Sequence, residues 1–136
     1  MISMETIASI PQIRHSNSGN FFLIAGSCVI ESREMSFEIA QKIISITDRL
    51  QIPYIYKSSY KKGNRSKHDS FSGIGDKEGL EILRDIRKEL AIPVLTDIHS
   101  PEEAYFASQY VDVLQIPAFY ARRSRLFNRQ FALQTE

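Results

Sequence analysis

Four clusters of residues in this 136-residue chain have the types that hold or activate an anionic substrate. Cys28 follows Gly26-Ser27, with Glu31 just beyond. Lys57 closes an apolar stretch, and Lys61, Lys62, Asn64, Arg65, Ser66 and Lys67 crowd the segment after it. Asp97 and His99 close a second apolar stretch, and Gln115 precedes Pro117, Phe119 and Arg122. Ammonium and guanidinium groups interleaved with hydroxyls and flexible backbone amides are what a phosphate needs. A basic run is ordinarily a solvated loop, but Lys57 at the end of an apolar stretch tips this one towards phosphate binding. Asn64-Arg65-Ser66 also matches a glycosylation sequon, irrelevant to a cytosolic chain.

Each remaining candidate has a plainer alternative. Cys28 is either a small buried hydrophobe or, as thiolate, one ligand of a divalent metal, with no partner spacing to complete a site. His99 is a ligand, an acid or base, or a structural hydrogen-bond partner. Asp97 either orients a substrate hydroxyl or a metal-bound water, or caps its strand. Gln115 sits in an apolar strand, where its amide must be hydrogen-bonded to a ligand or to the backbone.

The elements that must position these residues are legible in the apolar pattern. Residues 1–19 form an arm or a small strand pair, and 20–136 a partial barrel with a divergent tail over 123–136. Phe21 to Ala25 is a continuous apolar run, expected of a strand buried on both faces. Ser32 then caps a helix with Ile39, Ile43, Ile46 and Leu50 along one row. A strand from Ile52 to Tyr56 leads through a long loop, 58–75, to a helix over Asp76 to Leu90 lined by Leu80, Leu83, Ile86 and Leu90. Loops of that length in compact domains are usually functional or disordered. A strand from Ile92 to Thr96 precedes Ser100-Pro101-Glu102-Glu103, which reads as an N-cap, a first-turn proline and a glutamate closing a capping box. The last strand spans Val111 to Ile116, and residues 122–136 fit one more helix.

Strand and helix thus alternate four times, which implies right-handed crossovers and a parallel sheet. The fold class is α/β, either an open sheet or the first half of a TIM (β/α)8 barrel of about four βα units, since whole barrels need roughly 250 residues. In both, the carboxyl ends of the strands share one rim where ligands bind. The chain has no glycine-rich dinucleotide turn after the first strand. Its net charge of +1 gives no reason to invoke nucleic acid or an anionic membrane. One cysteine, no apolar run of about 20 residues and no basic-then-apolar leader point to the cytoplasm.

In this order, the rim residues resemble those of the 3-deoxy-octulosonate-8-phosphate (KDO-8-phosphate) synthases. Residues 25–32 are similar to the family's first-strand motif, and 52–60 with Lys62-Gly63-Asn64-Arg65-Ser66 to its second strand and loop. Phe71 to Gly75, Thr96 to His99 and Asp112 to Phe119 continue the match, which covers about residues 20 to 122. The resemblance implies a transferase that condenses phosphoenolpyruvate with arabinose 5-phosphate, giving KDO-8-phosphate and phosphate for lipopolysaccharide synthesis. It implies Asp97 and Lys57 as catalytic candidates, with Lys57 and Lys62 on phosphoenolpyruvate and Asn64, Arg65 and Ser66 on the sugar phosphate. Gln115 and Phe119 would line the site, and Arg122 would reach a neighbouring subunit's sugar phosphate in a homotetramer. Cysteine at position 28 resembles the metal-dependent members, so the parent enzyme would use a divalent metal held in part by Cys28.

The alternatives are a sibling synthase of the DAHP or sialic-acid type, or a non-catalytic phosphate-binding half barrel. After the fourth strand the chain departs from the family pattern, with four arginines between 122 and 129, and then ends. The second half of the barrel is missing, so the expectation is a truncated, inactive fragment of the synthase.

Overall fold

The computed structural model describes residues 7–61 and 75–118. Lys62, Asn64, Arg65, Ser66, Lys67, Phe119, Arg122, the motif 71–74 and the expected last helix lie outside the described residues.

Four parallel strands, β1 (Leu23–Ala25), β2 (Tyr54–Lys57), β3 (Val94–Asp97) and β4 (Val113–Gln115), lie side by side in the order of the chain. Between them run α1 (Arg33–Leu50), α2 (Asp76–Leu90) and α3 (Pro101–Ala107). One face of the sheet supplies Tyr54, Tyr56 and Val94 to a core that also holds Ala40 of α1, Leu80, Leu83 and Ile86 of α2, and Ala104 and Ala107 of α3. All three helices therefore pack on a single face. A doubly wound open sheet would place helices on both faces, whereas strands in sequential order with helices on the outside follow the course of a (β/α) barrel. The half-barrel reading holds.

The opposite face carries Ile24, Ile55, Leu95 and Val113, one residue from each strand. Ile7, Ile10 and Pro11 of the arm lie against it, and together they line an apolar hollow. No strand pair forms in the described part of the arm: backbone bonds from Ile10 to Ile7 and from Ile13 to Ile10 fold it into successive turns. These turns bury Ile7 to 3% exposure. Beyond them, Arg14 binds Asp48 of α1 at 2.7 Å and the Leu90 carbonyl at the end of α2 at 2.8 Å. The arm thus ties two helix ends together and satisfies a carbonyl that has no partner within its own helix.

Both long helices end in the same manner. Gln51 and Ala91 adopt left-handed backbone (φ 53° and 50°), and each is followed by isoleucine and proline. The Pro53 carbonyl accepts from Leu23 N and the Pro93 carbonyl from Tyr56 N, so each stop also registers the next strand against its neighbour. Proline cannot continue a helix, and the turn before it brings the chain back onto the sheet.

Two expectations are corrected. The row of α1 that meets the core is not Ile39, Ile43, Ile46 and Leu50: Ile46 and Leu50 are 44% and 50% exposed. The buried residues are Ser36, Ala40 and Thr47, whose small size lets α1 lie close to the sheet, with Ile39, Ile43 and Ile44 packed partly at the sides. β1 is not buried on both faces either, because it is the outermost strand of the described sheet and Ile24 is 44% exposed.

The start of α1 follows expectation: the Ser32 hydroxyl accepts from Met35 N at 3.2 Å. Ser32→Ala is expected to lower stability by about 1 kcal/mol, read from the urea midpoint of the chain. An unchanged midpoint would show that water serves that amide equally well.

Candidate functional site

The carboxyl ends of the four strands lie on one rim, and a close backbone contact sets its first side. A Cβ built on Gly26 would lie 2.1 Å from the Lys57 carbonyl oxygen, so only glycine lets the end of β1 cross that close to β2. Beyond the crossing, Ser59 N reaches the Cys28 carbonyl at 3.4 Å and Ile30 N reaches the Ser59 carbonyl at 3.0 Å, which extends the parallel pairing past both strands. The Ser27 hydroxyl sits 2.8 Å from that of Ser58 and 3.2 Å from that of Tyr56. Thr96 on β3 donates to the Ser58 carbonyl at 2.8 Å. The rim is cross-linked by hydroxyls from three neighbouring strands.

Within it, Lys57 Nζ donates to the Ser59 hydroxyl at 3.2 Å and stands 3.8 Å from Asp97 Oδ1. Ser59 in turn donates a short hydrogen bond to the same carboxylate oxygen. The other oxygen of Asp97 is 3.3 Å from His99 Nε2. The Lys57 and Asp97 side chains are 25% and 13% exposed, a partly dehydrated pair open on one side. An ammonium and a carboxylate held by an intervening hydroxyl offer an anion one positive anchor beside a group that can accept a proton or a hydroxyl hydrogen.

The structure brings Lys57, Asp97 and His99 together and places Cys28 and Gln115 differently from expectation. Cys28 is exposed, not a buried hydrophobe. Gln115 pairs through its backbone, its carbonyl accepting from Ile98 N at 3.0 Å, but its side chain is exposed on the outermost strand. An amide there needs no protein partner. Lys61, expected among the phosphate-binding cations, is engaged by protein: its ammonium lies 2.5 Å from Glu103 and 3.6 Å from Asp76. Burial pulls the Lys61 ammonium down, but Glu103 and Asp76 outweigh it and raise its pKa.

Three residues at the site are not expected there from the sequence. Ser59 joins Lys57 to Asp97, Tyr60 donates to Glu103 Oε2 at 2.9 Å, and Glu103 gathers the residues that follow β2 and β3. The capping box forms only by half: Ser100 accepts from Glu103 N at 3.3 Å, while the Glu103 carboxylate accepts from His99 N at 2.8 Å instead of from Ser100. Burial pushes the Glu103 carboxyl up, yet Lys61, the His99 amide and Tyr60 together hold it below the ordinary glutamate value. Burial, followed by the hydrogen bond to Glu103, pushes the Tyr60 phenol far up. The single signal for this cluster in the sequence is the four-residue spacing of His99 and Glu103.

For a metal, the described residues contribute too little. They contain no group of three His, Cys, Asp or Glu side chains placed to hold an ion, and Cys28 offers one thiol. Protein zinc sites take three or four ligands, so the described residues do not form a metal centre by themselves.

The profile of a protein family described as the DAHP synthetase I family matches residues 2–134. The chain belongs to the DAHP synthetase I family. Among curated members, it is 54% identical over 104 residues to a protein of Bordetella petrii named 2-dehydro-3-deoxyphosphooctonate aldolase. Proteins of the same name from Aromatoleum aromaticum and Burkholderia cenocepacia are 55% and 50% identical to it over 104 residues. Each match covers 76% of this chain and 37% of the relative. The chain spans little more than a third of the length of these DAHP synthetase I relatives. No helix among its described residues is long and apolar enough to cross a membrane.

Proposed function

We propose that this chain carries the phosphoenolpyruvate-binding rim of a 2-dehydro-3-deoxyphosphooctonate aldolase, the enzyme also called KDO-8-phosphate synthase. The reaction joins C3 of phosphoenolpyruvate to the aldehyde carbon of arabinose 5-phosphate. Water adds at C2, the bond from C2 to the phosphate oxygen breaks, and KDO-8-phosphate and inorganic phosphate leave. The observation that carries the reading is the pairing of Lys57 with Asp97 through Ser59 at adjacent strand ends. The identity to proteins of that name supports it.

In this reading Lys57 anchors the carboxylate or phosphate of phosphoenolpyruvate. Its point charge also lowers the cost of negative charge building on the phosphate as that bond breaks. Asp97 sits across the hydroxyl from it and is poised to accept hydrogen from the sugar or from the attacking water. His99 holds the far oxygen of Asp97, which fixes the plane of the carboxylate. Gln115 lines the open side in register with Asp97. Lys62, Asn64, Arg65, Ser66, Phe119 and Arg122 complete the site for the two phosphates, and the tetramer brings Arg122 to a neighbouring subunit. The divalent metal belongs to the same proposal, with Cys28 as one ligand and the others from the part of the relatives' length that this chain does not span. Turnover by this chain alone is not part of it, and lipopolysaccharide synthesis in the cytoplasm is the setting it implies.

Titrating the chain with phosphoenolpyruvate by NMR tests the reading. A charge-assisted hydrogen bond contributes about 1.5–3 kcal/mol, so Lys57→Ala is expected to weaken binding roughly ten- to a hundredfold. Equal affinity in Lys57→Ala, or no binding by the parent chain, would sink it. Competition between arabinose 5-phosphate and erythrose 4-phosphate separates this synthase from its DAHP sibling.

A further inference from the structure

We propose that Glu103 is a positioning residue for this rim: it locks the chain leaving β2 to the chain leaving β3 and, through His99, sets the Asp97 carboxylate against Lys57. The proposal rests on the functional reading above for its substrate class, but its geometry stands independently. Glu103 lies in the first turn of α3, where one bond to a cap would suffice, and Ser100 already caps that turn. Its carboxylate turns instead towards two loops. Oε2 accepts from Tyr60 of the first loop at 2.9 Å and from the His99 amide of the second at 2.8 Å, and it lies 3.1 Å from His99 Nδ1. Oε1 holds Lys61 at 2.5 Å.

These groups are buried or nearly so. Tyr60 is 2% exposed, and the side chains of Glu103 and His99 are 19% and 11% exposed. A carboxylate there accepts every donor aimed at it, and without it the buried Tyr60 hydroxyl would lose its acceptor. The line of contacts is continuous: Glu103 to His99 Nδ1, His99 Nε2 to Asp97 Oδ2, Asp97 Oδ1 to Ser59 and from there to Lys57. His99 thus stands between two carboxylates, one at each ring nitrogen, which fixes its ring plane and the nitrogen it presents to Asp97. Lys61 is the last described residue before the segment that carries Lys62, Asn64, Arg65 and Ser66. Its bond to Glu103 therefore fixes the chain at Lys61 itself. Lys61 serves as a tether here.

Glu103→Ala and Glu103→Gln in the full chain test the assignment with two readouts. The first is the ring 15N shifts of His99 without ligand, which Glu103→Ala is expected to move. The second is phosphoenolpyruvate affinity, expected to fall about tenfold in Glu103→Ala and about threefold in Glu103→Gln. Glutamine keeps an acceptor for the His99 amide and Tyr60 but loses the charge facing Lys61, so partial rescue distinguishes positioning from bulk packing. Wild-type His99 shifts in a folded Glu103→Ala overturn the proposal, as does unchanged affinity beside a Lys57→Ala that no longer binds. Should the alanine variant unfold, the glutamine variant decides by the same two measures. If the parent chain does not bind phosphoenolpyruvate, the functional reading fails, and the His99 shifts alone decide for or against Glu103.

Discussion

Gly26→Ala is expected to be among the most destabilising single-methyl additions in this chain. The added carbon would stand 2.1 Å from the Lys57 carbonyl oxygen, and the next nearest atoms are also Lys57 backbone, at 3.0 and 3.1 Å. No side chain can rotate away to relieve the overlap, so either β1 or β2 must move. Adding volume to a well-packed interior costs about 1–3 kcal/mol when side chains can adjust. A backbone clash belongs at or above the upper end of that range, so a loss of about 3 kcal/mol is expected. The urea midpoint measures it. Because the residue displaced is Lys57, the phosphoenolpyruvate binding proposed for it should weaken in whatever fraction stays folded. A midpoint within error of the parent chain would mean that the crossing of the two strand ends is looser than this geometry.

Arg87→Ala should have an effect of similar size at the opposite end of the sheet. The Asp112 side chain is 1% exposed. One of its oxygens accepts from Val94 N at 3.1 Å; the other lies 2.9 Å from Arg87 Nε without the alignment of a hydrogen bond. That second oxygen depends on the guanidinium for its compensating charge. Breaking a buried pair costs about 3–5 kcal/mol. The Arg87 side chain is 33% exposed, so solvent screens part of this and about 2–3 kcal/mol is expected. The check is a double-mutant cycle with Asp112→Asn: once the buried charge is gone, removing Arg87 should cost much less. Equal costs in the two backgrounds would mean that Arg87 stabilises by packing alone.

Much of the frame was legible in the sequence, because it rests on local chemistry. The bounds of α2 follow from its apolar line and flanking residues, and its buried Leu80, Leu83 and Ile86 are the residues that line predicts. Lys57 and Asp97 close their strands as expected and meet. The misreadings share a cause. The row of isoleucines in α1 is conspicuous, but the sheet accepts the helix on its small side, Ser36, Ala40 and Thr47, where backbone can come close. The apolar neighbours of Gln115 suggest burial, whereas its exposure is set by the position of β4 at the margin of the described sheet. The sequence around Glu103 suggests a cap of its own helix, a local role, while its partner Tyr60 lies 43 residues away. Nothing within one turn of Glu103 announces that pairing.

The order of the strands has a consequence for how the chain reaches this structure. Each strand pairs with the one made just before it: β2 docks on β1, β3 on β2 and β4 on β3. Among the described strands none has to wait for a partner beyond the next helix: Leu23 pairs with Tyr54, Tyr56 with Val94 and Leu95 with Val113. A chain emerging from the ribosome can add one strand and helix at a time onto a surface already formed. The Ile-Pro stops at residues 52–53 and 92–93 then mark the points where each finished helix hands over to the next strand.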